Sequence, residues 1–80
     1  MKYSNNPLPK PGSKVIVATE PPNLYLGLSA KNQTAIAEIL GKPVLLVDYD
    51  ADGRAELEFR DRNKSIHFIY VDPIYIKAVK

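Results

Sequence analysis

The feature that most constrains the fold is a series of four short apolar segments between residues 44 and 79, separated by turn residues. The segments are VLLVDY, RAELEFR, SIHFIYV and IYIKAV, and they are joined by DADG, by DRNK and by Asp72 with Pro73. Runs of β-branched and aromatic residues bounded by Asp, Asn, Gly and Pro are typical of strands joined by tight turns. The pattern predicts a four-strand meander.

Another strand and a helix are predicted before the meander. SKVIVAT, residues 13–19, is rich in β-branched residues and is followed by two prolines. Residues 32–40 have helical periodicity, with Ser29 or Asn32 as a cap and Gly41 and Pro43 as stop signals. The helix is therefore inserted between the first and second strands. The connection before it is apolar and is expected to pack over an open end of the core through Leu24, Tyr25, Leu26 and Leu28.

Composition sets the domain organisation and excludes several classes of protein. The chain has 80 residues and no cysteine, so the fold must depend on packing without disulfides or a cysteine zinc site. Residues 1–12 contain three prolines and are predicted to form a flexible arm, and residues 13–80 a single domain. No apolar run approaches the roughly 18 residues that a membrane span requires. We expect a soluble, cytoplasmic protein that does not contact a membrane.

Five strands in this rhythm suggest a small closed or half-closed barrel. The closing YVDPIYIK resembles the SH3-like barrel, in which a short proline-containing turn precedes the last strand. GKPVLLVDYDADGRAELEFRD and IHFIYVDPIYIK are also similar to a group of short, uncharacterised bacterial proteins, over roughly residues 27–77. The resemblance implies a mainly β fold, a five-stranded SH3-like barrel with one short α-helix between strands 1 and 2. The chain lacks the ALYDY-type opening and paired tryptophans of signalling SH3 domains, so proline-ligand binding is not implied.

The acidic turn after the second strand partly matches a calcium-binding loop. Asp48, Asp50, Asp52 and Gly53 fit the opening of the EF-hand pattern, but position 12 is Phe59 rather than glutamate. The flanking segments also resemble strands rather than helices. A β-hairpin accounts for the same residues, with Gly53 in the left-handed position of a type I turn followed by a bulge. We therefore predict no metal site.

The predicted register assigns each strand face. Pairing Asp50 with Arg54 sets Asp48 opposite Glu56, and a four-residue DRNK loop pairs Arg60 with Ser65. The predicted core face consists of Leu45, Val47, Tyr49, Ala55, Leu57, Phe59, Ile66, Phe68 and Tyr70. The opposite face is also apolar, and either the helix covers it or a partner does. As a partner surface it would comprise Val44, Leu46, Ile69, Val71 and His67.

The same register predicts that His67, the one histidine, lies outward beside Glu58. A cross-strand hydrogen bond is a simpler interpretation than acid–base catalysis, because no nucleophile or oxyanion donor occurs in a recognisable motif. The four glycines are scattered and form no phosphate-binding loop.

These observations predict a non-catalytic protein–protein interaction module or small accessory subunit. Its partner would be another protein or a second copy of the chain, and neither enzymatic activity nor a cofactor is expected. The alternative is a small barrel that binds single-stranded nucleic acid through Tyr25, Tyr49, Tyr70 and Tyr75. A net charge of +2 makes nucleic acid the less favoured partner.

Overall fold

A computed structural model describes residues 8–79, which form one α-helix and five antiparallel strands in a single sheet. The predicted mainly β class is confirmed, with the helix between the first two strands. The first seven residues of the predicted arm lie outside the described range. The elements are β1 (Lys14–Val17), α1 (Ala30–Ile39), β2 (Val44–Tyr49), β3 (Ala55–Arg60), β4 (Ile66–Val71), a 3₁₀ helix (Pro73–Tyr75) and β5 (Ile76–Ala78).

The order of strands in the sheet is β4-β3-β2-β1-β5. The prediction of a continuous four-strand meander is therefore wrong at its last step, because β5 pairs with β1 instead of β4. The 3₁₀ helix redirects the chain between them, and the side chain of Asp72 caps it by accepting a hydrogen bond from the Ile74 N–H, 3.1 Å. Within residues 8–79, β4 and β5 are the two ends of the sheet and do not pair, so the sheet is not closed.

The turn between β2 and β3 has the predicted hairpin geometry. The Gly53 N–H donates to the Asp50 carbonyl over 2.9 Å, and the Asp50 N–H donates to the Arg54 carbonyl over 2.8 Å. Asp50 Oδ1 accepts from the N–H groups of Asp52 and Arg54. Gly53 has a φ of 81°, in the left-handed region that favours glycine. The hairpin interpretation of this acidic stretch is confirmed.

The turn between β3 and β4 repeats that geometry with a lysine in the glycine position. The Lys64 N–H donates to the Asp61 carbonyl, and the Asp61 N–H donates to the Ser65 carbonyl. Asp61 Oδ1 accepts from the Asn63 and Ser65 N–H groups, as Asp50 does in the first turn. Lys64 has a φ of 67°. Five residues thus separate Arg60 from its observed partner Ile66, whereas the prediction had four between Arg60 and Ser65.

The longer turn shifts the pairing of β3 with β4 by one residue. Arg60 lies opposite Ile66 instead of Ser65, and Phe59 lies opposite His67. Because side chains alternate between the two faces of a strand, this shift moves every β4 side chain to the other face. The predicted assignment of the two faces of β4 is therefore wrong.

An irregularity in β2 changes its faces as well. Tyr49 pairs with Ala55 and Asp48 with Glu56, as predicted, but the register shifts between Asp48 and Leu46. The shift leaves one extra residue, Val47, on the β2 strand, as in a β-bulge. Beyond it Leu46 lies opposite Leu57, so Leu46 rather than its neighbours faces the core.

The core lies between the sheet and α1. Ser29 caps the helix by accepting a hydrogen bond from the Asn32 N–H over 3.2 Å, and Gly41 follows the helix with a φ of 79°. The apolar connection before the helix packs against this core as predicted through Leu24, Tyr25 and Leu28, whereas Leu26 is exposed. The buried residues form one cluster: Val15, Val17, Ala35, Ile36, Ile39, Val44, Leu46, Ala55, Leu57, Phe59, Ile69, Val71 and Ile76.

The start of the described chain runs along β2. The Gly12 N–H donates to the Leu46 carbonyl over 2.7 Å, and the Leu46 N–H donates to the Ser13 carbonyl over 2.9 Å. The Tyr49 hydroxyl donates to the Pro9 carbonyl over 2.6 Å. These bonds tie residues 9–13 to the strand that carries the centre of the core.

Candidate interaction surface

Three large side chains project from the outer face of β4. The exposed fractions are 48% for Ile66, 50% for Phe68 and 47% for Tyr70. They alternate with inward residues along one strand and therefore form one row, which we call the β4 stripe. The solvent face of an antiparallel sheet is usually polar. An aligned row of half-exposed apolar side chains on that face is therefore unusual and is typical of a contact site.

The partner surface predicted from the sequence lies on the other face. Val44, Leu46, Ile69 and Val71 are all buried in the core cluster that includes α1. Of the two alternatives that the sequence left open, cover by the helix is therefore the one observed, and these four residues are not exposed to a partner. The register shifts in β2 and β4 place them on the same face as Leu57 and Phe59. The β4 stripe consists of the residues that the sequence had assigned to the core.

Charged residues of β3 border the β4 stripe. Glu56 lies opposite Tyr70 and Glu58 opposite Phe68, while Arg60 lies opposite Ile66. The Arg54 guanidinium carbon lies 5.8 Å from the centroid of the Tyr70 ring, a distance at which cation–π attraction operates. Two acidic and two basic residues therefore flank the row. The border favours neither a strongly acidic nor a strongly basic partner.

The backbone of β4 adds to this surface, because β4 is an end strand of the sheet. The hydrogen bond from the Asp61 N–H to the Ser65 carbonyl identifies 61 and 65 as a hydrogen-bonded pair. Such pairs alternate along an antiparallel ladder, so residues 67, 69 and 71 bond to β3. The N–H and C=O groups of the three stripe residues point instead towards the other edge of β4, which no strand within residues 8–79 covers.

β4 has few of the features that protect edge strands from pairing. It pairs with β3 through six consecutive residues without a bulge, and IHFIYV contains no lysine, proline or acid. The other end strand, β5, is three residues long and includes Lys77. Natural sheets usually protect their edges with short strands, charges, prolines or bulges. β4 is therefore the edge better suited to bind another strand.

His67 lies on the inner face of the sheet, at the margin of the core. Its ring stacks on Phe59 with centroids 5.3 Å apart and an angle of 11° between the planes. Its Nε2 is 2.8 Å from Asp61 Oδ2. The prediction that His67 lies outward beside Glu58 is wrong, because the one-residue shift in β4 places it inward.

The carboxylate of Asp61 is fully occupied by its neighbours. The hydrogen bond from His67 lowers the pKa of Asp61, and the N–H groups of Ser65 and Asn63 lower it further. Oδ1 therefore holds the turn and Oδ2 holds the imidazole. The pair joins the second hairpin turn to the inner face of β4.

The acidic turn residues have similar roles. Asp50 Oδ1 accepts two turn N–H groups and Oδ2 accepts from Arg54 Nε over 2.9 Å. The backbone N–H of Arg54 is the main cause of the lowered pKa of Asp50. Between residues 8 and 79, no group of three or more His, Cys, Asp or Glu side chains is arranged to hold a metal ion.

An open groove lies between α1 and the second hairpin turn. Its volume is about 320 Å³, and Lys31, Thr34 and Asn63 are among the residues that line it. Arg62 spans the groove and forms a 2.8 Å ion pair with Glu38 of the helix. This exposed ion pair links the hairpin to the helix.

Comparison of the chain with protein-family models, with curated proteins and with solved structures found no match. For the part of the chain that is described, no helix has the length and apolar character required to cross a membrane. The similarity between the two hairpin turns is the sequence signal that could have identified the β4 stripe. Aligning DADGR with DRNKS places Lys64 at the position of Gly53 and gives the observed register.

Proposed function

We propose that this chain is a non-catalytic protein–protein interaction module or small accessory subunit that binds its partner through the β4 stripe. The observation that carries the proposal is the row of three half-exposed apolar side chains on an end strand without charged residues. Exposed apolar rows and open backbone edges both favour docking of another chain. The proposed setting, a bacterial cell, rests on the resemblance to short bacterial proteins.

We further propose that the domain belongs to the SH3-like class. The proline-containing 3₁₀ turn immediately before the last strand supports this assignment, as does a sheet in which β5 lies beside β1. Signalling SH3 domains bind proline-rich ligands in aromatic-lined grooves, and that activity is not part of the proposal. Here the binding element is a strand edge with its outer face.

Nucleic acid is the alternative ligand, since exposed Phe68 and Tyr70 could stack on bases. The border of the stripe gives a phosphate backbone no net attraction. Glu58 and Glu56 lie directly across from the two aromatic residues, and their charges offset those of Arg54 and Arg60. Retention of single-stranded DNA or RNA at physiological salt would favour the alternative, and we expect none.

A catalytic role for His67 is not part of the proposal. Its ring is stacked on Phe59, and its Nε2 is hydrogen-bonded to Asp61, whose other oxygen holds two turn amides. A general base must reach a substrate proton as well as its own orienting group. These contacts account for both residues as structural elements of the second hairpin.

The test compares two lysine variants of exposed apolar residues. Phe68→Lys alters the centre of the β4 stripe, and Leu26→Lys alters a residue that is 79% exposed in the connection before α1. Each tagged variant is used to capture proteins from the native host, after circular dichroism has shown that both are folded. We expect Phe68→Lys to lose the specific partners of the natural chain and Leu26→Lys to retain them. Retention of every partner by Phe68→Lys would contradict the proposed binding site.

A further inference from the structure

We propose that β4 pairs in antiparallel orientation with β4 of a second copy of this chain, with the two-fold axis at Phe68. This inference rests on the proposed function, because it names the partner of the same surface. The two sheets would join into one continuous sheet across the β4 edges. Both β4 stripes would then lie side by side on the outer face.

The backbone groups of the β4 edge have the symmetry that such pairing requires. The open N–H and C=O groups belong to Ile66, Phe68 and Tyr70, which are placed evenly about Phe68. A two-fold axis at Phe68 sets it opposite Phe68 of the second copy, and it sets Ile66 opposite Tyr70 of that copy. Each of these three pairs exchanges two hydrogen bonds, as hydrogen-bonded pairs of an antiparallel ladder do. No open group of the stripe is left without a partner.

The side chains agree with the same register. Residues opposite each other in an antiparallel pair lie on the same face of the sheet, with Cβ atoms about 5 Å apart. Phe68 therefore contacts the same residue of the second copy, and Ile66 contacts Tyr70. Aromatic and β-branched residues are favourable cross-strand neighbours. The pairing covers the three most exposed side chains of β4 at once.

Charge also favours a copy of β4 over a strongly charged strand. IHFIYV contains no lysine, arginine or acid, so neither strand brings a like charge to the axis. The flanking row contains Glu56, Glu58, Arg54 and Arg60, whose formal charges cancel. The nearest like charges across the axis are the two Glu58 side chains, which lie three strand spacings apart, or about 14 Å. At that distance salt screens most of their repulsion.

The area available indicates a weak dimer. An aromatic side chain buries about 150–250 Å² in full, so the half-exposed residues of the stripe offer roughly 300 Å² on each copy. Two copies therefore bury at most about 600 Å² of side-chain surface in addition to the strand edges, because the outward surfaces of the side chains stay in solvent, and this lies below the roughly 1,200 Å² of a stable interface. The dimer should therefore depend on concentration and form in the micromolar to millimolar range.

Sedimentation velocity of the natural chain from about 10 μM to about 1 mM is the direct test. We expect a reversible shift from monomer to dimer over this range. Phe68→Lys and Phe68→Glu should each raise the dissociation constant at least about tenfold, because two like charges would meet at the axis. Leu26→Lys, on a different exposed apolar residue, should leave the dissociation constant unchanged.

An equimolar mixture of Phe68→Lys and Phe68→Glu tests the position of the axis. Opposite charges meet only if residue 68 faces residue 68, so the mixture should associate at least about tenfold more tightly than either variant alone. Circular dichroism and thermal melting of each variant verify that the monomer remains folded. An equal dissociation constant for the mixture and for the single variants would overturn the proposed register.

A natural chain that stays monomeric at about 1 mM would overturn self-pairing itself. That result does not decide the proposed function, which fails only if Phe68→Lys still captures every partner that the natural chain captures. A monomeric natural chain whose host partners are lost in Phe68→Lys would assign the β4 edge to a different protein. A dimer that Phe68→Lys leaves intact would place the contact elsewhere and overturn the inference.

Discussion

Replacement of Lys64 by glycine should stabilise the protein. Lys64 occupies the left-handed position of the β3–β4 turn with a φ of 67°, and Gly53 occupies the same position of the β2–β3 turn with a φ of 81°. An L-residue in this region has its Cβ close to the following carbonyl oxygen, whereas glycine has no Cβ. The structure therefore contains one turn with the preferred residue and one without it.

The expected gain follows from two opposing effects. The left-handed conformation costs a residue with a side chain about 1–2 kcal/mol. Glycine loses more backbone freedom on folding, which costs about 0.5–1 kcal/mol. The net change for Lys64→Gly is a stabilisation of about 0.5–1 kcal/mol, or about 2–8 °C in Tm for a domain of this size. Among the described residues Lys64 has no salt-bridge partner, and the carbonyl that accepts from Arg60 is retained.

The matched control is Gly53→Ala in the first turn. Outside residues 52–54, no atom lies within 4 Å of the Cβ that alanine would add, so the cost comes from the local backbone alone. The same two effects apply in reverse, so we expect a loss of about 0.5–1 kcal/mol. Urea unfolding followed by circular dichroism at pH 7 measures both changes. The slope of the unfolding free energy against urea concentration should be the same for the two variants and the natural chain. If Lys64→Gly gave no gain while Gly53→Ala lost stability, the equivalence of the two turns would be refuted.

Three further predictions concern the core and the hydrogen bonds around it. Leu46→Asp places an unpaired charge in the core and should cost about 4 kcal/mol or more, seen as loss of cooperative thermal unfolding. The pKa of Asp61 is lowered by folding, so its contribution to stability is complete above its unfolded pKa of about 4 and is lost as the pH falls further. The stability difference between the natural chain and Asp61→Asn should therefore narrow as the pH falls below about 4; an unchanged difference between pH 5 and pH 3 would contradict this. Burial raises the pKa of Tyr49 above its unfolded value of about 10. The contribution of its neutral hydroxyl to the unfolding free energy is therefore complete below pH 10 and is lost as the pH rises further. Tyr49→Phe removes the hydrogen bond to the Pro9 carbonyl and should lower the unfolding free energy by about 1 kcal/mol at pH 7. The unfolding free energy of this variant should also fall less above pH 10 than that of the natural chain. An equal fall in both proteins would contradict the role of the buried hydroxyl.

The positions of the strands and the helix were determined by local sequence. Each strand of the meander coincides within one or two residues with a β-branched or aromatic segment, and the helix ends before Gly41 as predicted. The first hairpin turn was also predictable, because glycine after two aspartates has a strong preference for one conformation. These conformational preferences act over a few residues and can therefore be predicted from a single sequence.

The faces of the strands depended on tertiary structure. VLLV in β2 and IHFIYV in β4 are apolar on both sides, so alternation does not distinguish the core face from the outer face. The choice depends on a bulge at Val47 and on a turn in which Lys64 takes a conformation that its residue type does not favour. None of the three β4 stripe residues was predicted to be exposed.

The partner of β5 was decided in the same way. IYIKAV is apolar enough to pair with either end of the sheet, and only the 3₁₀ helix at Pro73–Tyr75 directs it to β1. Packing of α1 against one face of the sheet then buries Leu46 with Ile69 and leaves the opposite face of β4 exposed. Local sequence thus sets where each strand lies along the chain, whereas the choice of faces and neighbours depends on contacts between residues distant in sequence.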